Sequence, residues 1–237
     1  MHNIKILFLK ELKSYFNSPM AYIFLILFAI FTGYFFTNTF FLINQSDMRS
    51  LFGIVPLIYL FFIPAVTMSL IAKENSSGTM EIISTLPIKD SEFVIGKFLA
   101  ATTLIIIGLG FTLIHFFTLL AVGTNIDLGA VLCGYIGLIL VGAFYASIGT
   151  FTSSLTDNQV VAFIIAITIV LVFFLLDKLL FFMPSGLGGL LQFISVDYHL
   201  SNISRGVIDS RNLIYFGSMI AIFLLTTMRN LEMRKWR

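Results

Sequence analysis

Few residues of this chain have the types and spacing that chemistry needs. Ser195, Asp197 and His199 carry the side chains of a hydrolase triad. Strict two-residue spacing, however, keeps them too local for a nucleophile, a base and an orienting acid to line up. A turn fits better, with Ser195 or Asp197 capping a short helix that begins at Tyr198. His115 stands alone inside a long apolar run, and an intramembrane histidine is a functional candidate. No acid or second histidine lies in another apolar run to complete a proton or ion relay, so a hydrogen bond to a neighbouring helix is expected of it. Gly96-Lys97 is followed by Phe98 and lacks the earlier glycine of a phosphate-cradling loop, so the chain binds no nucleotide by that route. Cys133 is the single cysteine and lies in an apolar run, which gives no disulfide framework and no metal site.

Charge is concentrated elsewhere. The stretch Lys73–Lys97 holds Lys73, Glu74, Glu81, Lys89, Asp90, Glu92 and Lys97, seven of the chain's 26 charged residues. Uncharged runs flank it, Leu51–Ala72 before and Phe98–Ile126 after. Each is long enough to cross a hydrocarbon core of ~30 Å at ~1.5 Å per residue. Within the loop, Thr79 can cap a helix Met80–Thr85 that ends at Pro87, and its Met80, Ile83 and Leu86 form an apolar patch. Asp90 can cap the next helix, with Glu92 in its first turn. Such an element suits docking against a soluble partner; a structured loop resting on lipid headgroups is the alternative.

Composition sets the class. Of 237 residues, 58% are hydrophobic and 11% charged, with mean hydropathy +1.01; a soluble domain carries about 25% charge. The apolar runs are continuous rather than alternating, so the expected fold is all-α and membrane-integral, not a barrel. A net charge of +2 gives no argument for a nucleic-acid partner. No cleavable signal is expected, because the first apolar run is too long for one.

Six spans are expected: Met20–Ile43, Leu51–Ala72, Phe98–Val122, Leu128–Phe151, Val160–Leu176 and Asn212–Met228. Before them, Ile4, Leu7, Phe8, Leu12 and Tyr15 share one side of a helix, with Lys10 and Lys13 pointing away, which predicts an interfacial helix over residues 1–19. Glu11 falls inside that apolar arc, either as a frayed or solvated acid or as a partner for a basic group of another segment or subunit. Pro56 and Pro64 predict a kinked or loosened second span, as a hinge or as ordinary bending. Ala130, Gly134, Gly142 and Ala146 fall on one i+4 line of span four, interrupted by Leu138, and predict a helix-packing face. Thr152–Gln159 reads as a polar turn. Residues 181–211 are too interrupted to span and read as a re-entrant or surface-lying segment.

Counting Lys and Arg orients the chain. With six spans and a cytoplasmic N-terminus, ten fall on the cytoplasmic side and Arg49, Lys178, Arg205 and Arg211 outside. Both termini and the Lys73–Lys97 loop are then cytoplasmic.

Glu74–Lys97, with E-x-x-x-G-T-x-E, then L-P-I, then G-K, resembles the first cytoplasmic loop of ABC-2-type transporter permeases. Lys10-Glu11-Leu12, the run Ile63–Met68, Ser153–Ala162 and Ser204–Arg211 look like the same family. With the N-terminal SPMAYIF, they are most similar to its gliding-motility-associated (GldF-like) permeases. The resemblance covers nearly the whole chain, read as one membrane domain over 1–237, and implies an ABC-2 (type V exporter-like) fold. It also implies a half-transporter driven by a separate cytoplasmic ABC ATPase, so ATP and Mg are expected on that partner and no cofactor here. By position, Glu74, Gly78, Thr79, Glu81, Ile83 and Pro87 would form the coupling element, Lys97 would mark the start of the next span, and Glu11 would be the acid of the connecting helix. Ile82-Ile83-Ser84 stands where the family often has leucines. The other partner would be a second copy or a companion membrane subunit with a periplasmic domain. A non-transporting scaffold for a cell-envelope machine is the competing function, and an intramembrane enzyme ranks last.

Overall fold

The computed structural model describes residues 2–42, 47–124, 126–179, 185–207 and 209–234. These residues are almost entirely helical, with no strand among them. They form α1 (His2–Asn17), α2 (Pro19–Thr37) running on into a π-turn (Asn38–Leu42), α3 (Arg49–Thr67), α4 (Ala72–Ser76) and α5 (Thr79–Thr85). Then follow α6 (Asp90–Val122), α7 (Leu128–Leu155), α8 (Gln159–Leu179), α9 (Ser185–Ile194), α10 (Val196–Ser204) and α11 (Ser210–Arg234). Six stretches among the described residues are long and apolar enough to cross a membrane: Pro19–Phe41, Arg49–Ser76, Asp90–Val122, Leu128–Leu155, Gln159–Leu179 and Ser210–Met233.

α7 is the axis of the bundle, packed by α3, α6, α8, α10 and α11. Its small residues allow this. A Cβ on Gly134 would sit 2.1 Å from the Phe52 ring, and one on Gly142 would sit 2.9 Å from Ile105 and 3.4 Å from Tyr59. Ala130 and Ala146 are buried on the same helix. The closest approach lies off the predicted line, where a Cβ on Gly149 would fall 1.8 Å from Thr67 Oγ1. In hydrocarbon, where apolar burial gives helices no drive to associate, such approaches supply the dispersion that holds them together.

Several boundaries differ from the sequence reading. α6 begins at Asp90, not Phe98, because the charged residues occupy its first turns without interrupting the helix. Its 33 residues run about 50 Å, well beyond a ~30 Å core. Asp90 is therefore a helical residue and Lys89 stands at the N-cap, where its amide donates to Glu92 Oε2 at 3.2 Å. α7 continues to Leu155, so the polar turn shrinks to residues 156–158. The helix after Ser195 begins at Val196 rather than Tyr198, with Ser195 as its cap accepting the Tyr198 amide at 3.4 Å. α3 stays helical through Pro56 and Pro64 and breaks only after Thr67. Within 181–211, residues 181–184 and Ile208 lie outside the described residues, as do Ile43, Lys235 and Arg237. α9 and α10 are each too short to span, and α10 packs Val196, Leu200 and Ile203 against the bundle rather than lying on its surface.

Candidate functional site

The charged stretch and α1 meet at one end of the bundle. α1 lays its Leu7 and Tyr15 side on α6 and the end of α3. Gly96 makes the contact possible, since a Cβ there would lie 2.8 Å from Leu7 Cβ and 3.3 Å from the Ile4 carbonyl. Lys97, the next residue, is left facing α1 in a nearly closed space, its side chain 1% exposed.

Two carboxylates surround it. Lys97 Nζ lies 2.8 Å from Glu11 Oε1 and 3.0 Å from Glu74 Oε2, and 5.0 Å from the centre of the Phe93 ring one turn earlier. Lys10 closes the group, its Nζ 3.2 Å from Glu74 Oε1 and 3.6 Å from Glu11. The acid inside the apolar arc of α1 is thus a partner for a base of another segment. Lys10 does not point away as its helix position predicts, because its long stem carries the ammonium around to Glu74. A buried ammonium is stable only when paired and hydrogen-bonded. With two acids and two bases the group is neutral, and it joins α1, α4 and α6. Partial burial pulls the Lys10 pKa down, but the Glu74 and Glu11 carboxylates outweigh that, and it stands above the ordinary lysine value. Asn3 Nδ2 adds a tie from α1 to α6, donating to Glu92 Oε2 at 3.0 Å.

From this platform α4 and α5 project. Gly78 separates them with φ of +69°, a left-handed conformation that suits glycine. Thr79 does not cap α5; it is the helix's first residue, with Gly78 before it, and its hydroxyl donates to the Glu74 carbonyl at 3.3 Å. The predicted apolar patch is divided. Met80 and Ile83 pack against the core, whereas Ile82 is 65% and Leu86 48% exposed. Glu81 and Pro87 are exposed beside them. The outward face of this element is therefore Glu81, Ile82, Leu86 and Pro87, and Ile83 is part of its anchor.

The break between α3 and α4 leaves backbone groups without helical partners. Two buried side chains take them up. Tyr15 donates its hydroxyl to the Val66 carbonyl at 3.1 Å, and burial, with Glu11 nearby, holds that phenol well above its ordinary pKa. Ser153 of α7 donates to the Met68 carbonyl at 2.8 Å and accepts the Ile71 and Ala72 amides at 2.9 and 3.0 Å. The sequence reading gave Gly149 no role, took Gly96 only as part of the G-K motif, and put Ser153 in a polar turn and a family-like motif rather than in α7. Nothing in those signals pointed to the Met68 carbonyl, 85 residues from Ser153.

The opposite end holds the other candidates. His199 is buried between Asn212 Oδ1 at 2.7 Å and the Phe193 carbonyl at 2.8 Å, stacked 4.0 Å from the Tyr215 ring. Asp197 pairs with Lys178 at 2.7 Å. Ser195, Asp197 and His199 thus have three separate sets of partners and form no triad. His115 stacks on Phe36 at 4.8 Å, and the expected hydrogen bond to another helix does not occur among the described residues. No cluster of three or more metal-ligating side chains occurs among the described residues.

Among the described residues the chain is thus a helical bundle with six candidate spans and a short helical pair between the second and third. Residues 6–203 match the family model described as ABC-2 family transporter protein. The chain belongs to that family. It is a membrane-spanning permease subunit of an ABC transporter, and the family implies a separate cytoplasmic ATPase as its partner. A comparison with curated proteins gave no match. In this permease, α11 lies beyond the matched residues.

Proposed function

We propose that α4–α5 is the coupling element through which a cytoplasmic ABC ATPase drives this permease. One observation carries the reading: the element is fixed to α1 and α6 by the buried Lys97–Glu11–Glu74 group, while Ile82 and Leu86 are exposed. Rigid attachment on one side and an exposed apolar face bordered by charge on the other is what transmission of force requires. The platform helix α1 is the connecting helix, and the chain forms one membrane domain over 1–237. The ten-to-four distribution of Lys and Arg supports a cytoplasmic location for this end and both termini, with the α10 end outside, and the family resemblance favours a bacterial inner membrane for the spans.

ATP and Mg are bound and consumed on the partner chain. The work done is substrate export or mechanical work on the envelope, and the GldF-like resemblance favours a link to gliding motility. The complex is completed by a second copy of this chain or by a companion membrane subunit with a periplasmic domain, within the lipid bilayer.

The test is purification of the tagged chain from native membranes with identification of any co-eluting ABC ATPase, combined with labelling of a Ser76→Cys variant in intact cells. The expected result is co-elution of the ATPase and labelling only after permeabilisation. A chain that elutes without the ATPase, or a Ser76 position labelled from outside, overturns the reading.

A further inference from the structure

We propose that Ser153 is a positioning residue for the coupling element, its hydroxyl fixing how α4 leaves the end of α3. The proposal rests on the reading that α4–α5 meets the ATPase, and the experiment below separates the two.

α3 ends at Thr67 and its hydrogen-bond ladder restarts only when the Glu74 and Asn75 amides return to the Ile71 carbonyl, each at 3.0 Å. Between these points the chain turns tightly, the Leu70 amide reaching the Thr67 carbonyl at 3.1 Å. A hydroxyl has one proton to give and two lone pairs to receive. Ser153 uses all three, on the Met68 carbonyl and on the Ile71 and Ala72 amides. Its side chain is fully buried, so water does not compete. One turn earlier, Gly149 lets α7 touch Thr67, which brings the hydroxyl within reach of the break. Glu74, two residues past Ala72, is the acid that pairs with Lys97 and Lys10. Movement of Ser153 therefore moves Glu74. The neighbouring Ser154 is tied to α11 by Asn230 Nδ2, at 2.8 Å to its carbonyl and 3.1 Å to its hydroxyl. The arrangement links the central helix of the bundle, and α11 behind it, to the angle of the element that receives the ATPase.

The experiment is hydrogen–deuterium exchange on the intact chain in nanodiscs, followed in peptides containing Ile71 and Ala72, alongside ATPase binding to the same preparations. In the parent chain these two amides are expected to be protected although they lie at a helix break. In Ser153→Ala they exchange about tenfold faster or more, while amides in the middle of α7 keep their protection. Ser153→Cys, with a weaker donor and acceptor, falls between. The ATPase is expected to bind Ser153→Ala about tenfold more weakly. Unprotected Ile71 and Ala72 amides in the parent overturn the proposal, and this measurement holds even where the alanine variant does not fold. Parent-like exchange in Ser153→Ala, or changed exchange with unchanged ATPase affinity, overturns it as well. Failure of the ATPase to bind the parent at all counts instead against the coupling reading, leaving the exchange result to stand.

Discussion

The two ends of the bundle are joined by different chemistry. At the α4–α5 end, separate segments meet through full charges, with Lys97 almost closed off between Glu11 and Glu74. At the α10 end, buried contact is made by groups without formal partners of opposite charge: His199 between Asn212 and a carbonyl, on the face of Tyr215, whose hydroxyl donates to the Ile194 carbonyl at 2.5 Å. The ion pair there, Lys178 with Asp197, is half exposed on the lysine side. A buried ion group is costly to break from one side, because removing either sign leaves the other unpaired in a poor solvent. Segments joined that way move together or not at all. Aromatic stacking and single hydrogen bonds bind more weakly and can be remade one at a time. The proposed coupling element thus stands at the end joined by charge, and a short helical segment is held against the bundle at the other.

The comparison breaks most directly at Lys97. Lys97→Ala leaves two acids sharing only the half-exposed Lys10 ammonium, across a space the buried ammonium filled, and about 3 kcal/mol of stability should be lost. A lowered Tm in detergent, with new protease cleavage at α1, is the expected result. Adding Glu11→Gln to the variant should recover part of the loss, since Lys10 and Glu74 then remain as a one-to-one pair. Between the ends, Gly142→Leu forces volume against Ile105 and Tyr59 and should cost about 1–3 kcal/mol. Leu140→Ala, at a partly buried position, should reduce the yield of folded protein less. At the α10 end, His199→Leu leaves the Asn212 amide and the Phe193 carbonyl without their imidazole partner, at a cost of about 1–3 kcal/mol, and should loosen α10 without altering protease sensitivity at α1.

The smallest effect sharpens the contrast through pH. The Lys10 pKa is higher in the folded chain than its ordinary value of 10.5. Its contribution is therefore complete below about pH 10.5 and is lost as the pH rises through the folded value. The parent should lose more stability than Lys10→Gln over that alkaline range, and the two should run parallel below it.

Much of this was legible in the sequence, for identifiable reasons. Long uncharged runs can only be buried or lipid-facing, so the spans and their order followed. Glu11 was conspicuous because an acid inside an apolar arc needs a partner, although nothing local named Lys97, 86 residues away. The phase of α5 was misread. A helix of seven residues has too few turns for its own periodicity to decide which side faces in. Tertiary docking decided it, turning Met80 and Ile83 inward and Ile82 outward. Likewise the prolines of α3 were visible, but the break falls where Tyr15 and Ser153 supply hydrogen bonds from distant segments. A proline shows only where a helix lacks a donor, not where the rest of the fold can accommodate a bend.

The central claim is that the outward face of α5 receives the ATPase, and titration of the purified ATPase against nanodisc-embedded variants tests it most directly. Ile82→Asp places a charge on the exposed face and disturbs no packed residue, so the chain should insert and keep its Tm. Its affinity for the ATPase should fall by roughly 5- to 150-fold, the equivalent of about 1–3 kcal/mol. Binding of Ile82→Asp as tight as the parent, in a normally inserted chain, would contradict the account.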